Sequence, residues 1–144
     1  MSNESYDSGN IFAKILRGEI PAFKVYEDER TLAFMDAMPQ SEGHTLVIPK
    51  SNARNLFDVE PQVLANLIQV TQRVAVAVRK AFNAQGMRVV QFNEAVAGQT
   101  VFHIHFHIIP WYQGLDLKHH ARDWADKAVL AQHAERVKKA LSEA

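Results

Sequence analysis

Phe102-His103-Ile104-His105-Phe106-His107-Ile108-Ile109-Pro110 sets three histidines at every second position with an apolar residue between them. Side chains alternate faces along a β-strand. The spacing therefore predicts a strand over Val101 to Ile109, with His103, His105 and His107 on one face and Ile104, Phe106 and Ile108 on the other. The apolar face is expected to pack on a core helix and the histidine face to open on a cleft or on solvent. Pro110, which has no ladder N–H, is expected to end the strand.

The flanking segments supply partners for that strand. Met87 to Phe92 is a β-rich run expected to pair with it across the polar loop Glu94 to Thr100. Thr45 to Ile48 is an apolar run that begins after His44, follows the turn-forming Pro39 to Gly43 and stops at Pro49. Lys24 to Glu27 and Thr31 to Asp36, on either side of Asp28-Glu29-Arg30, read as a hairpin. Ile11, Phe12, Ile15 and Leu16 recur at helical spacing ahead of Gly18 and Pro21, which predicts a short first helix. Asp58, Glu60 and Pro61 mark the start of a long helix, and Val63, Leu64, Leu67, Val70, Val74, Val78 and Phe82 carry its apolar face to near Gly86. Trp124, Ala128, Ala131, His133 or Ala134, Val137 and Leu141 suggest a terminal amphipathic helix within Ala121 to Leu141. Strands mixed with helices, without regular βαβ alternation, indicate an α+β domain with a mainly antiparallel sheet.

A chain of 144 residues suits one core. Lys plus Arg and Asp plus Glu balance at 16 each, so there is no basic excess to attract nucleic acid as a bulk polyanion. The absence of cysteine excludes disulfides, thiolate-bound zinc and a cysteine nucleophile. Residues 1–10 are polar and read as a disordered tail without an apolar signal core. No segment approaches the roughly 20 apolar residues of a membrane span, so no membrane partner is expected and a cytoplasmic address is the default.

The histidines admit a bland reading, a half-exposed edge strand. They also admit a metal reading, in which neighbours such as His103 and His105 share an ion. All three on one ion is poor geometry, because a rise of about 3.3 Å per residue sets the outer Cα atoms roughly 13 Å apart in line. A catalytic reading is also open. An imidazole with a pKa near 6.5 is largely unprotonated at neutral pH and attacks without a separate base, while a charged neighbour can protonate a leaving group.

His103 to Ile109 resembles the signature of the histidine triad family, His-φ-His-φ-His-φ-φ with φ apolar, without a substitution. The resemblance runs from Ile11 to about Trp111. It includes Ile11-Phe12-Ala13-Lys14-Ile15, Gly18-Glu19-Ile20-Pro21, Phe34-Met35-Asp36, Gly43-His44-Thr45-Leu46-Val47-Ile48-Pro49-Lys50, Asn93-Glu94 and Gly98-Gln99-Thr100-Val101. It implies a histidine-triad-like fold of about five antiparallel strands, a domain over 11–118 with a C-terminal helical extension over 119–144, and a homodimer with a purine nucleotide substrate. It further implies that His105 attacks the α-phosphorus to give a nucleotidyl-histidine that water hydrolyses, without a cofactor. His103 and His107 flank it as phosphate or leaving-group contacts or as support, and His44 bonds within the triad.

The same resemblance assigns Asp36 to ribose hydroxyls and Asn93 to sugar or phosphate, and makes Ile11, Phe12 and Phe34 candidates to enclose the base. Gly98 lets backbone N–H groups approach phosphate, with Gln99 and Thr100 as neutral donors. His119, His120 and His133 match no family position and are given no chemistry, while Trp111 and Trp124 are candidates for a dimer contact or the pocket rim. Many bacterial relatives hold a structural zinc through two cysteines around the Ile-Phe pair and a later histidine. Asn10, Ala13 and Asn52 stand there in this chain, so no metal site is expected.

The leading function is hydrolysis of nucleoside phosphoramidates or acyl-nucleotides. A dinucleoside polyphosphate hydrolase is the alternative enzyme, suggested by Gly98-Gln99-Thr100-Val101 and Pro110, and a nucleotide-binding interaction protein is the alternative from another class. A homodimer is expected to meet through Met87 to Phe92 or the long helix, since sheet edges need cover.

Overall fold

The computed structural model describes residues 6–114 and 124–143. The elements run α1 (Ile11–Leu16), β1 (Lys24–Glu27), β2 (Thr31–Met35), β3 (Thr45–Pro49), α2 (Pro61–Phe82), β4 (Gly86–Val90), a single 3-10 turn (Ala95–Ala97), β5 (Phe106–Trp111) and α3 (Lys127–Ser142). The five strands form one sheet in the order β1-β2-β3-β5-β4 with every neighbouring pair antiparallel. This is the α+β architecture with a mainly antiparallel sheet of five strands expected from the sequence.

Register decides what each face carries. Ala33 pairs with Val47, which pairs with Phe106, and Thr45 pairs with Ile108. Ala33, Val47, Phe106 and Ile108 look toward α2 and α3 and join Val74, Val78 and Val137 in the larger core, and Thr45 is buried in the same row as Ile108. Leu32 pairs with Ile48 and Phe34 with Leu46 on the opposite face, where Phe12 and Ile15 of α1 cover them in a smaller core. Ile104 and Ile108 lie fully buried in the larger core, so the apolar side of the histidine stretch packs on helices as its pattern requires.

The expected strand Val101 to Ile109 is corrected at both ends. β4 ends at Val90, opposite His107, so Val101 to His105 has no ladder partner there, and β5 begins only at Phe106. Pro110 does not end the strand. Its carbonyl accepts the Ser41 hydroxyl at 2.7 Å on the side where the β3 ladder stops at Thr45, so its missing N–H costs no sheet bond.

The long helix closes at Phe82 rather than near Gly86, because Asn83 takes the left-handed conformation (φ 51°) and turns its N–H back on the helix. α3 starts at Lys127, where the Asp126 carboxylate caps the Ala128 N–H at 2.8 Å, and it buries Leu130, Ala134, Val137 and Ala140. Trp124 lies before that helix and is exposed. Tyr6 to Asn10, expected within a disordered tail, are instead placed, and Asn10 caps α1 by accepting the Ala13 N–H at 2.9 Å. Residues 1–5, His119, His120, the 118/119 boundary and Ala121 lie outside the described residues. Among the described residues, no helix is long and apolar enough to cross a membrane.

Candidate active site

Phe34, Leu46, His107 and Val90 form one row across the sheet on the face that α1 covers. The Phe12 ring of α1 stands edge-on to Phe34 at 5.4 Å and to His105 at 4.9 Å between centroids. His105 and His107 rings are 4.9 Å apart, and Phe92 lies 5.6 Å from His107. All four candidate histidines are buried, the most exposed being His105 at 5%. Of the two expectations for the histidine face, a cleft or open solvent, burial removes the second: aromatic rings and polar partners line it.

Hydrogen-bond directions fix where protons sit. Gln40 N–H donates to His44 Nδ1 at 3.0 Å, so neutral His44 carries its proton on Nε2. That nitrogen is 3.0 Å from His107 Nδ1 and 3.3 Å from Asp36 Oδ2. His107 Nδ1 is therefore the acceptor, and the proton of neutral His107 is on Nε2. His105 Nδ1 donates to the His103 carbonyl at 2.8 Å, which puts the lone pair of neutral His105 on Nε2. His103 Nε2 donates to the Pro49 carbonyl at 2.7 Å, and its Nδ1 accepts the Tyr6 hydroxyl at 2.5 Å. Burial holds the His103 pKa below the ordinary imidazole value. With both ring nitrogens engaged, His103 is a brace for its neighbour.

Asp36 follows β2 and is 7% exposed. Burial pushes its carboxyl from 3.8 to about 7, against the opposing effect of the Met38 N–H at 2.8 Å. Asp36, His44 and His107 thus meet as one buried cluster.

The other candidates are placed less uniformly. Phe12 and Phe34 are buried in the smaller core, whereas Ile11 is exposed. Gly98 has φ 108°, and a Cβ there would come 3.3 Å from Phe92 Cδ1, so the turn needs glycine. Thr100 is exposed. The Gln99 side chain is not an idle donor. Its oxygen accepts from Asn55 and from the Glu94 N–H, and its nitrogen donates to the Arg54 and Val101 carbonyls. It braces the loop, and only its backbone is available in the expected role. Asn93 Oδ1 likewise accepts the Leu56 N–H and the Gln91 amide, each at 2.8 Å.

Sequence reading passed over Arg54, Asn55 and Tyr6. Arg54 donates twice to Glu94 Oε1 and Oε2 through Nε and once to Oε1 through Nη2, and its guanidinium lies 4.2 Å from the centre of the Phe102 ring. Asn55 adds a bond to Glu94 at 2.6 Å. Glu94 is held at φ 77° and ψ 151°, a region that costs a non-glycine residue about 1–3 kcal/mol. The network overcomes that strain and shapes the loop ahead of the histidines. Arg54 and Asn55 stand 40 and 39 residues from Glu94, so no local spacing announces it.

The HIT domain model matches residues 17–114, more than half of the chain. The chain belongs to the histidine triad family. A crystal structure of a HIT-like protein involved in cell-cycle regulation from Bartonella henselae superposes with a TM-score of 0.88 at 48% identity, over 94% of this chain and 99% of that one. A hypothetical histidine triad nucleotide-binding protein of Sulfolobus tokodaii gives 0.85 at 32% identity, covering 92% and 91%. A zinc-bound histidine triad family protein of Mycobacterium smegmatis gives 0.82 at 36% identity, with 94% of each chain covered. Family membership supports a nucleotide-binding or nucleotide-hydrolysing function.

Among the described residues, the group spaced for a metal ion is Asp36, His44 and His107, whose ligand atoms lie within 4.8 Å of one another. Its protonation does not fit a metal. His44 Nδ1 already accepts a backbone N–H, so a proton occupies the Nε2 that would have to bind the ion. The structural zinc site that the resemblance points to at Asn10, Ala13 and Asn52 does not fit either. Asn10 caps α1 and donates to Tyr6 and to the Asp7 carbonyl, and Ala13 has no ligand atom.

Proposed function

We propose that this chain hydrolyses purine nucleoside phosphoramidates or acyl-nucleotides at the α-phosphate, with His105 as nucleophile. The observation that carries the reading is the bond from His105 Nδ1 to the His103 carbonyl, which orients the ring and sets its lone pair on Nε2. In the first step His105 Nε2 bonds to phosphorus and the bond from phosphorus to the leaving amine or carboxylate breaks. A leaving amine takes the Nε2 proton of His107, and His107 Nδ1 receives the His44 Nε2 proton in compensation. Asp36, at 3.3 Å from that His44 nitrogen and half protonated near pH 7, replaces the proton. In the second step water adds to phosphorus and the bond to His105 breaks; after loss of an amine the water proton returns along the same chain, and after loss of a carboxylate, which took no proton, it is released to solvent.

Phe12 and Phe34 support a base pocket on the α1 face, Asp36 a contact to ribose hydroxyls, Asn93 a contact to sugar or phosphate, and Gly98 to Thr100 a phosphate loop through backbone N–H groups. β4 is an edge strand with Val89 exposed, which supports a homodimer formed there. Side-by-side turnover of adenosine phosphoramidate and diadenosine triphosphate tests the reading. The phosphoramidate should turn over faster. Binding of nucleotide without turnover of either would instead favour an interaction protein.

A further inference from the structure

The segment that carries His103 and His105 precedes β5 and is outside the sheet ladder. Ile104 holds it through its side chain, buried in the larger core, and through its N–H, which donates to the Ala53 carbonyl at 2.9 Å, while the His103 ring spans between the end of β3 and the chain ahead of α1. The ring is the centre of a directional series. Asn10 Nδ2 donates to Tyr6 Oη at 2.9 Å, the Tyr6 hydroxyl donates to His103 Nδ1, and His103 Nε2 donates to Pro49 O. The His103 carbonyl then takes the Nδ1 proton of His105.

We propose that Tyr6 is a positioning residue for the reaction: by holding His103 in a single tautomer and orientation, it keeps the His103 carbonyl where it fixes the tautomer and aim of His105. Three observations carry this. The two His103 hydrogen bonds are mutually exclusive with the opposite tautomer, because Pro49 O can only accept. The Tyr6 ring also packs edge-on against His103, with centroids 5.6 Å apart. The same Asn10 that supports Tyr6 caps α1, whose Phe12 stands against the His105 ring, so the segment reaches the nucleophile from two sides. Burial raises the Tyr6 pKa, which keeps the phenol a donor.

The proposal rests on the reading of His105 as nucleophile, and its test separates the two. Tyr6→Phe keeps the ring contact and removes the donor. It should lower kcat about five- to tenfold with KM changed less than about twofold, since one buried hydrogen bond is lost away from the substrate. In nitrogen-15 spectra of the imidazoles, the His103 Nδ1 resonance should move toward that of a nitrogen accepting no bond, and the His105 Nδ1 proton should exchange with solvent at least about fivefold faster. Tyr112→Phe is the control, because it removes a hydroxyl that lies 3.4–3.5 Å from the Phe82 and Glu42 carbonyls. It should leave kcat and His105 exchange as in the wild type. Unchanged His105 exchange in Tyr6→Phe overturns the proposal whatever the rate does, as does changed exchange with an unchanged kcat, or an equal effect from Tyr112→Phe. If the wild type turns over no substrate, the functional reading falls, and the exchange comparison alone decides the role of Tyr6.

Discussion

Replacing Asp36 by asparagine should remove a pH-dependent penalty on folding. The carboxyl is 7% exposed and burial raises its pKa from 3.8 to about 7 in the folded protein. A carboxyl raised in this way binds more protons folded than unfolded between those values, so the stability it contributes is fully present below pH 3.8 and is lost as pH rises through about 7. At 1.36 kcal/mol per unit, the whole loss is about 4 kcal/mol. Asparagine keeps an oxygen for the Met38 N–H but sets an amide toward the His44 Nε2 proton, a mismatch of about 1–2 kcal/mol that does not vary with the carboxyl's titration. Urea unfolding from pH 4 to pH 8.5 measures both effects. The Asp36→Asn protein should start less stable at pH 4 and gain about 4 kcal/mol on the wild type by pH 8.5, most of it between pH 5 and pH 7.5. Two curves that run parallel to within about 1 kcal/mol would refute the reasoning, because Asp36 would then titrate as an ordinary carboxylate.

His105→Asn should lower kcat at least about a thousandfold while calorimetry shows nucleotide affinity within about threefold, since the amide can hydrogen-bond but cannot carry the phosphoryl group. Exhaustive chelation should leave activity unchanged and elemental analysis should find no stoichiometric zinc; one metal per chain, lost together with activity, would contradict the proton assignment at His44. Light scattering should give the mass of two chains at micromolar concentration. Val89→Lys, on the exposed edge strand, should shift that toward one chain without altering the histidine cluster.

The fold was legible because its signals are local. The alternation around Ile104 and Ile108 marks the face against α2 and α3, the turn at Asp28 marks the hairpin, and the apolar spacing from Val63 to Phe82 marks the long helix. The errors have physical causes. Alternation at His103 and His105 reads as strand whether or not a partner strand is present, and the end of β4 at Val90 cannot be seen from within that stretch. Pro110 reads as a terminator unless the side on which its N–H would point is known to be unladdered. At the site, the histidines and Asp36 stand out by residue type. Gln99 reads as a neutral donor to phosphate because its partners, Asn55 and Arg54, come from a distant loop. Tyr6 was placed in a polar tail, and only its contact with His103, 97 residues away, gives it a role.

The central claim, two displacements through His105, is tested most directly by the stereochemical course at phosphorus. A nucleoside phosphoramidate analogue made chiral at the α-phosphorus by sulfur, hydrolysed in oxygen-18 water, reports whether water or the enzyme attacks first. Each in-line displacement inverts the centre, so attack by His105 Nε2 followed by water predicts net retention. Net inversion would show a single attack by water and contradict the assignment of His105 as nucleophile.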